Sequence, residues 1–437
     1  MEQKSKEELI PFSGYQKFLI VILALLQFTV ILDFMVLSPL GDVLMKTLNI
    51  TPSQFGYVVS AYAFSAGISG ILAAGFADKF DRKKMLLFFY AGFIAGTFFC
   101  SMANNFATLL AARIITGLFG GVIGSISMAI ITDMFAVHQR GRVMGFVQMA
   151  FAASQILGIP IGIVIANNWG WHATFLMIVV LALAIGVAVI LRMKPVNKHL
   201  ALQSDKSPLL HLWHTLQHPT YKVGFTAIAL LSVGGFMMMP FGSAFLINNI
   251  KITQQDLPKI FMITGLSSVV IMPLVGKLSD KIDKFYLFAA GSILAIVMIL
   301  IYTNLPPVPL WEILVVNVIM FAGIMSRVVP ATTLNTSIPD MKDRGAYMSI
   351  TSSLQQISGG IAAVIAGKII SQQTKTSPLE HYPTLGIVVS CVSLLSIYLI
   401  YRISVVVKKR DEERELEKIN AVLASKQANA NVQEITA

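Results

Sequence analysis

Charge is scarce in this chain of 437 residues, at only 13% Asp, Glu, Lys and Arg. Soluble proteins carry about 25%, so a water-exposed surface of the usual kind is excluded. Cysteine is nearly absent. Cys100 and Cys391, the only two, both fall inside apolar runs, which argues against a disulfide framework or a thiolate metal site. No Gly-x-x-x-x-Gly-Lys phosphate cradle occurs, so ATP is not expected to drive the protein. The seven histidines lie in loops or at the ends of runs, and His211, His214 and His218 cluster without a metal-ligand pattern. No enzyme chemistry, metal or cofactor is expected.

What the chain has instead is apolar sequence. Hydrophobic residues make up 55% and the mean hydropathy is +0.73. Runs of about 20 residues, each long enough to cross a hydrocarbon core as a helix, recur at 18–40, 54–76, 85–103, 107–134, 143–166, 172–192, 223–247, 258–276, 286–303, 310–334, 346–370 and 383–405. They are continuous rather than alternating and too long for barrel strands. The expected fold is all-α and integral to the membrane, with twelve transmembrane helices. The first run is too long for a signal-peptide core and no cleavage site follows it, so no cleaved leader is expected.

The formal net charge of +11 reflects topology rather than nucleic-acid binding. With both termini in the cytoplasm, 26 of the 33 lysines and arginines lie on the cytoplasmic side, as the positive-inside rule requires. Only Lys46, Lys251, Lys259 and Lys375 fall opposite, while Arg113, Arg327 and Lys368 fall inside runs.

Two echoes divide the chain. AAGFADKFDRKK at 73–84 follows run two and VGKLSDKIDKFY at 275–286 follows run eight; HQRGRV follows run four and KDRGAY follows run ten. Two echoes at similar offsets imply two six-helix halves in parallel orientation. The expected organisation is a cytoplasmic arm (1–17), a bundle (18–192), a linker (193–222), a second bundle (223–405) and a tail (406–437). The tail opens as KKRDEERELEKI, a candidate surface helix, and ends in a polar stretch expected to be disordered.

Twelve spans, a linker between halves and paired charged loops resemble the major facilitator superfamily. That family's loop pattern is roughly Gly-x-Leu-(Ala)-Asp-Arg-x-Gly-Arg-Lys. Asp78, Lys79, Arg82 and Lys83 match in the first copy and Gly276, Leu278, Asp280, Lys281 and Lys284 in the second, with Asp81 and Asp283 at the second glycine. The resemblance implies a cytoplasmic gate of Asp78, Arg82 and Asp133, with Asp280 and Lys284 in the second copy. A carboxylate there can accept from the N-terminal amides of a helix in the other half. Ser337 stands where a counterpart of Asp133 would be, leaving the mirrored latch weaker or dependent on Asp340. Without a latch, the positive-inside rule alone explains the basic residues but not the aspartates.

Charges inside the bilayer cost at least ~2.5–3.5 kcal/mol on insertion scales and mark function by default. Asp33 in run one and Arg113 in run four lie at comparable depth in the outer half. Desolvation favours the neutral acid, the arginine favours the carboxylate, and alternating access shifts the balance. The two residues are read as a proton switch, as a static ion pair, or as making no contact. The family's run-four pattern matches Leu109, Arg113 and Gly117, and the resemblance favours the switch. Arg327 in run ten either binds an anionic group or satisfies carbonyls beside Pro330. Candidates for the substrate cavity are Gln27, Gln148, Gln155, Met238, Asn317, Arg327, Gln355 and Gln356; the methionines of GGFMMMPF suit varied shapes, though packing is an equal reading.

The resemblance extends to the bacterial drug:proton antiporter and arabinose-efflux-like permeases, through LDFMVLSPLGDVLMKTLNITPSQFGYVVSAY and RGAYMSITSSLQQISGGIAA. It implies a secondary transporter, working as a monomer in the bacterial cytoplasmic membrane, that exports a small organic solute in exchange for protons. Its partners would be the solute, protons and lipid, with no nucleic acid. The span-five antiporter signature is only partly present, since Ile159 separates Gly158 from Pro160. A proton symporter or facilitator importing a sugar or organic acid therefore stays open, as does a non-transporting membrane protein.

Overall fold

The computed structural model describes residues 12–74, 79–197, 200, 208–340 and 343–436. The first half contains α1 (Gly14–Val36), α2 (Gly41–Leu48), α3 (Pro52–Ala74), α4 (Arg82–Ser101), α5 (Phe106–Met134), α6 (Val137–Ala153), α7 (Ile159–Trp169) and α8 (Trp171–Arg192). After α9 (Pro208–Gln217) come α10 (Pro219–Met238), α11 (Gly242–Asn248), α12 (Leu257–Lys281), α13 (Lys284–Thr303), α14 (Leu310–Thr336), α15 (Arg344–Ile369) and α16 (Tyr382–Thr436).

Local chemistry sets where helices start. Ser13 and Gln16 form a capping box on α1, and Asn105 with Thr108 does the same on α5, each satisfying amides that the first turn leaves free. Asp81 caps α4 by accepting from the amides of Lys83 and Lys84, and Asp283 caps α13 by accepting from that of Phe285. The two aspartates that replace the family's second glycine are therefore helix caps, worth about 1 kcal/mol each. Arg140 Nη2 donates to the carbonyl of Thr132, and Arg344 Nη2 to that of Thr336. Each arginine of the two Arg-Gly pairs thus reaches back eight residues to the end of the preceding helix. The repeat read from the sequence has the same hydrogen bonds in both copies.

Two spans are broken. A π-helical turn at Ser154–Gly158 joins α6 to α7, and a short 3-10 turn at Met239–Phe241 joins α10 to α11. Pro160 has no N–H to offer the carbonyl four residues back, and its ring crowds that carbonyl, so the preceding turn widens. Pro240 lies inside the second break. Gly170, at φ 85°, forms the one-residue corner between α7 and α8, a conformation glycine adopts without steric cost.

Eleven stretches among the described residues are long and apolar enough to cross a membrane. The remaining run, the eleventh along the chain, is α15, whose serines, threonines and glutamines lower its hydropathy but whose 26 residues are long enough to span. It packs along α3 and α10, where buried Ser353, Ser358, Gly359 and Gly360 allow close approach. Large apolar side chains such as Val180, Val187, Ile190 and Leu191 are exposed on α8, as a lipid-facing surface requires. The expectation of a disordered tail is corrected. α16 continues unbroken to Thr436, because the segment after Arg410 is rich in Glu, Lys, Leu, Ala and Gln, all good helix formers.

Candidate functional site

Four helices of the first half converge on one ion pair. Arg113 Nη1 of α5 donates to Asp33 Oδ2 of α1 at 2.7 Å, and both side chains are 0% exposed. Thr97 of α4 donates to the other carboxylate oxygen at 3.1 Å. The guanidinium lies 4.5 Å from the centre of the Tyr62 ring on α3. Arg113 Nε and Nη2 are buried without a hydrogen-bond partner. A buried carboxylate facing an arginine can exist paired, or can take up a proton when the balance of desolvation and attraction changes.

The pair sits one aromatic layer from the seam between the halves. The Tyr62 ring packs on Phe34, next in sequence to Asp33, at 5.2 Å, and Phe34 packs on Phe236 of α10 at 5.7 Å. Phe34 and Phe236 line a narrow crevice with Ser38, Val59, Met239 and Pro240.

The sequence missed how the halves meet. Among the described residues, the hydrogen bonds that cross between halves lie at the end opposite the chain termini. Asn248 Nδ2 of α11 donates to Asp42 Oδ1 of α2 at 2.6 Å, while Lys46 Nζ holds the other oxygen at 2.7 Å. Ser38 donates to the Met239 carbonyl and Ser243 to the Ser38 carbonyl. Asn167 and Gln254 pair there too, and Lys375 reaches the Lys46 carbonyl. The Asp42/Lys46 spacing of four is a readable helix pair, but nothing in the sequence joins it to Asn248. Replacing Asn248 by alanine leaves a buried carboxylate short of a donor, worth about 1.5–3 kcal/mol for a charged partner. We expect Val59→Cys, in a Cys391→Ser background, to react with a maleimide at this end at least ~10-fold faster when Asn248→Ala is added. An unchanged rate would show that Asn248 does not hold this end shut.

At the other end two of the predicted gate residues meet. Arg82 Nε meets Asp133 Oδ2 at 3.1 Å, and both belong to the first half. Asp78 lies outside the described residues. Asp280 is exposed and Lys284 half-buried, and neither forms an ion pair among the described residues. Their half is clamped from α16 instead. Lys408 pairs with Asp283 at 2.7 Å, holding that carboxyl below its usual range. Arg410 binds the carbonyls of Ser337 and Ile338 and lies 3.7 Å from Asp340. His211 of α9 approaches Asp343 at 3.6 Å.

The cavity candidates scatter. Gln27 faces Gly124 of α5, with its Oε1 buried and unpartnered. The Gln155 backbone abuts Gly265 of α12, which places it at the seam. Met238 and Gln356 are half-buried, and Gln148 and Gln355 are exposed. Asn317 is buried and bonds the Ile313 carbonyl of its own helix. Arg327 points into the second bundle, where Nη1 donates to Ser393 of α16 at 3.2 Å.

A nearly all-helical bundle with repeated halves, a seam between them and eleven stretches long and apolar enough to span defines a multi-pass membrane protein. The chain belongs to the Major Facilitator Superfamily, whose model matches residues 23–363. It is 24% identical to the MFS-type transporter YbcL of Bacillus subtilis (strain 168), over 87% of this chain and 95% of that protein. Multidrug resistance protein 2 of the same organism is 25% identical, over 64% of this chain and 73% of the relative. A probable sugar efflux transporter of Helicobacter pylori (strain G27) is 23% identical, over 64% and 72%. Among solved structures, a bacterial homolog of the human lysosomal transporter Spinster superposes with a TM-score of 0.73 at 15% identity, covering 91% of this chain and 99% of that one. By family the protein is a transporter.

Proposed function

We propose that the protein exports a small organic solute, drug-like or sugar-like, across the cytoplasmic membrane in exchange for protons. Asp33 carries the proton and Arg113 tunes its affinity. The observation that carries this reading is the fully buried Asp33–Arg113 pair, set one aromatic layer behind the seam. When the halves rock and Phe34 parts from Phe236, water reaches the carboxylate from one side. When they close again, the Tyr62 and Phe34 rings exclude it. An export direction is supported by the names of the multidrug-resistance and sugar-efflux relatives.

The test is flux in proteoliposomes with an acidic interior, following luminal pH while lipophilic cations, sugars and organic acids are added in turn. Wild type is compared with Asp33→Asn and with Asp33→Asn/Arg113→Gln, each at equal reconstituted protein. Proton movement triggered by one solute class, and absent from both variants, is the expected result. If solute crosses equally in all three without proton movement, the protein is a facilitator and the pair only structural. Cotransport of solute and proton in the same direction would make it a symporter.

A further inference from the structure

We propose that the second bundle binds a monovalent halide, chloride in practice, at Arg327 between α13, α14 and α16. The side chain is buried, with the residue 5% exposed. Its single hydrogen bond among the described residues goes to the Ser393 hydroxyl, and Nε and Nη2 have no partner. The Phe288 ring of α13, 5.8 Å from the guanidinium carbon, offers only a weak attraction at that distance. Guanidinium does not lose its proton in proteins, so a full positive charge is held at membrane depth.

No acid answers it. α10, α13, α15 and the membrane stretch of α16 contain neither Asp nor Glu, and Glu312 of α14 lies in the first turn, about 22 Å away along the helix. The first bundle solves the same problem with Asp33. Two buried hydroxyls lie on the helices that flank Arg327. Ser393 accepts from the arginine and is buried at 0%, so its own proton remains to be given. Ser292, also 0% exposed and unpartnered, follows Phe288 by four residues on α13 and shares its face. Three guanidinium N–H groups, on Nε and Nη2, and two hydroxyls without an acceptor suit an anion.

The helices argue for a small one. A Cβ on Gly323 would come within 2.8 Å of the Ala295 amide nitrogen, and one on Gly291 within 3.1 Å of the Gly323 carbonyl. α13 and α14 touch backbone to backbone beside the arginine, which suits a monatomic ion better than a phosphate or the head of a lipid.

The test uses the full chain in nanodiscs, with thermal unfolding in sodium chloride, bromide, gluconate or phosphate at equal ionic strength. Chloride and bromide are expected to raise Tm saturably by about 2–4 °C over gluconate, with phosphate behaving as gluconate. Arg327→Gln should remove the halide dependence, and Ser292→Ala should move its midpoint to higher halide. Ser393→Ala gives a second midpoint shift without altering the charge. Identical wild-type Tm in chloride and gluconate, or unaltered halide dependence in Arg327→Gln, would overturn the site. A phosphate effect equal to that of chloride would overturn its assignment as a halide site.

Discussion

Arg113→Ala is expected to cost ~3–5 kcal/mol of stability, the range found when one partner of a buried ion pair is removed. Wild-type stabilities are only about 5–15 kcal/mol, so the variant should lose most of its monodisperse, folded fraction on extraction. The reason lies in what remains. Asp33 would keep the Thr97 hydroxyl at 3.1 Å but would face an emptied volume where the guanidinium stood, 0% exposed and without its counter-charge. Asp33→Asn/Arg113→Gln should recover much of the loss, because two neutral amides can still bond each other and Thr97 while neither charge is stranded. Size-exclusion profiles and unfolding temperatures of Asp33→Asn, Arg113→Gln and the double complete a mutant cycle, with Arg113→Ala measured beside them. Equal losses in Arg113→Ala and in the double variant would mean that the site tolerates an unpaired charge, and the pair would no longer account for the burial of both groups.

Such a pair could be read from the chain because ionisable residues are rare at membrane depth, and two at matched depth on helices of one half invite pairing. The Asp81 and Asp283 caps were visible as letters, yet looked like departures from a glycine pattern until the helix starts behind them were known. Other features had no local signal. Asp42 and Asn248 meet across 206 residues, and only the docking of two halves brings them together. The widened turn at Ser154–Gly158 follows from Pro160, a letter that marks a missing backbone bond without giving the form the helix takes around it. Arg327 was legible as a charge; its environment depended on which way α14 faces, and that is decided by the Gly291–Gly323 contact. α15 is the reverse case. Its polarity makes it the weakest span by composition, and its small residues are why it can lie so close to α3.

That closeness leads to the second large effect. Gly56→Leu is expected to force the halves apart where α3 crosses α15. A Cβ at Gly56 would stand 2.6 Å from the Ala363 carbonyl oxygen and 3.4 Å from Gly367 Cα. Backbone atoms of a packed helix cannot swing aside as a side chain can, so α3 itself must move. Overpacking of this kind costs typically about 1–3 kcal/mol, occasionally more. Here the strain falls on the same end of the seam as Asp42 and Asn248, since Gly56 lies in the first turns of α3, eight residues after Leu48 closes α2. Transport should fall to background while Val59→Cys becomes more reactive at that end. Gly235→Ala, where an added Cβ meets nothing within 4 Å, should leave both unchanged. Wild-type flux and reactivity in Gly56→Leu would mean that α3 and α15 need not touch there during the cycle. The seam would then have to close through the other contacts at that end, Ser38–Met239 and Asp42–Asn248 among them.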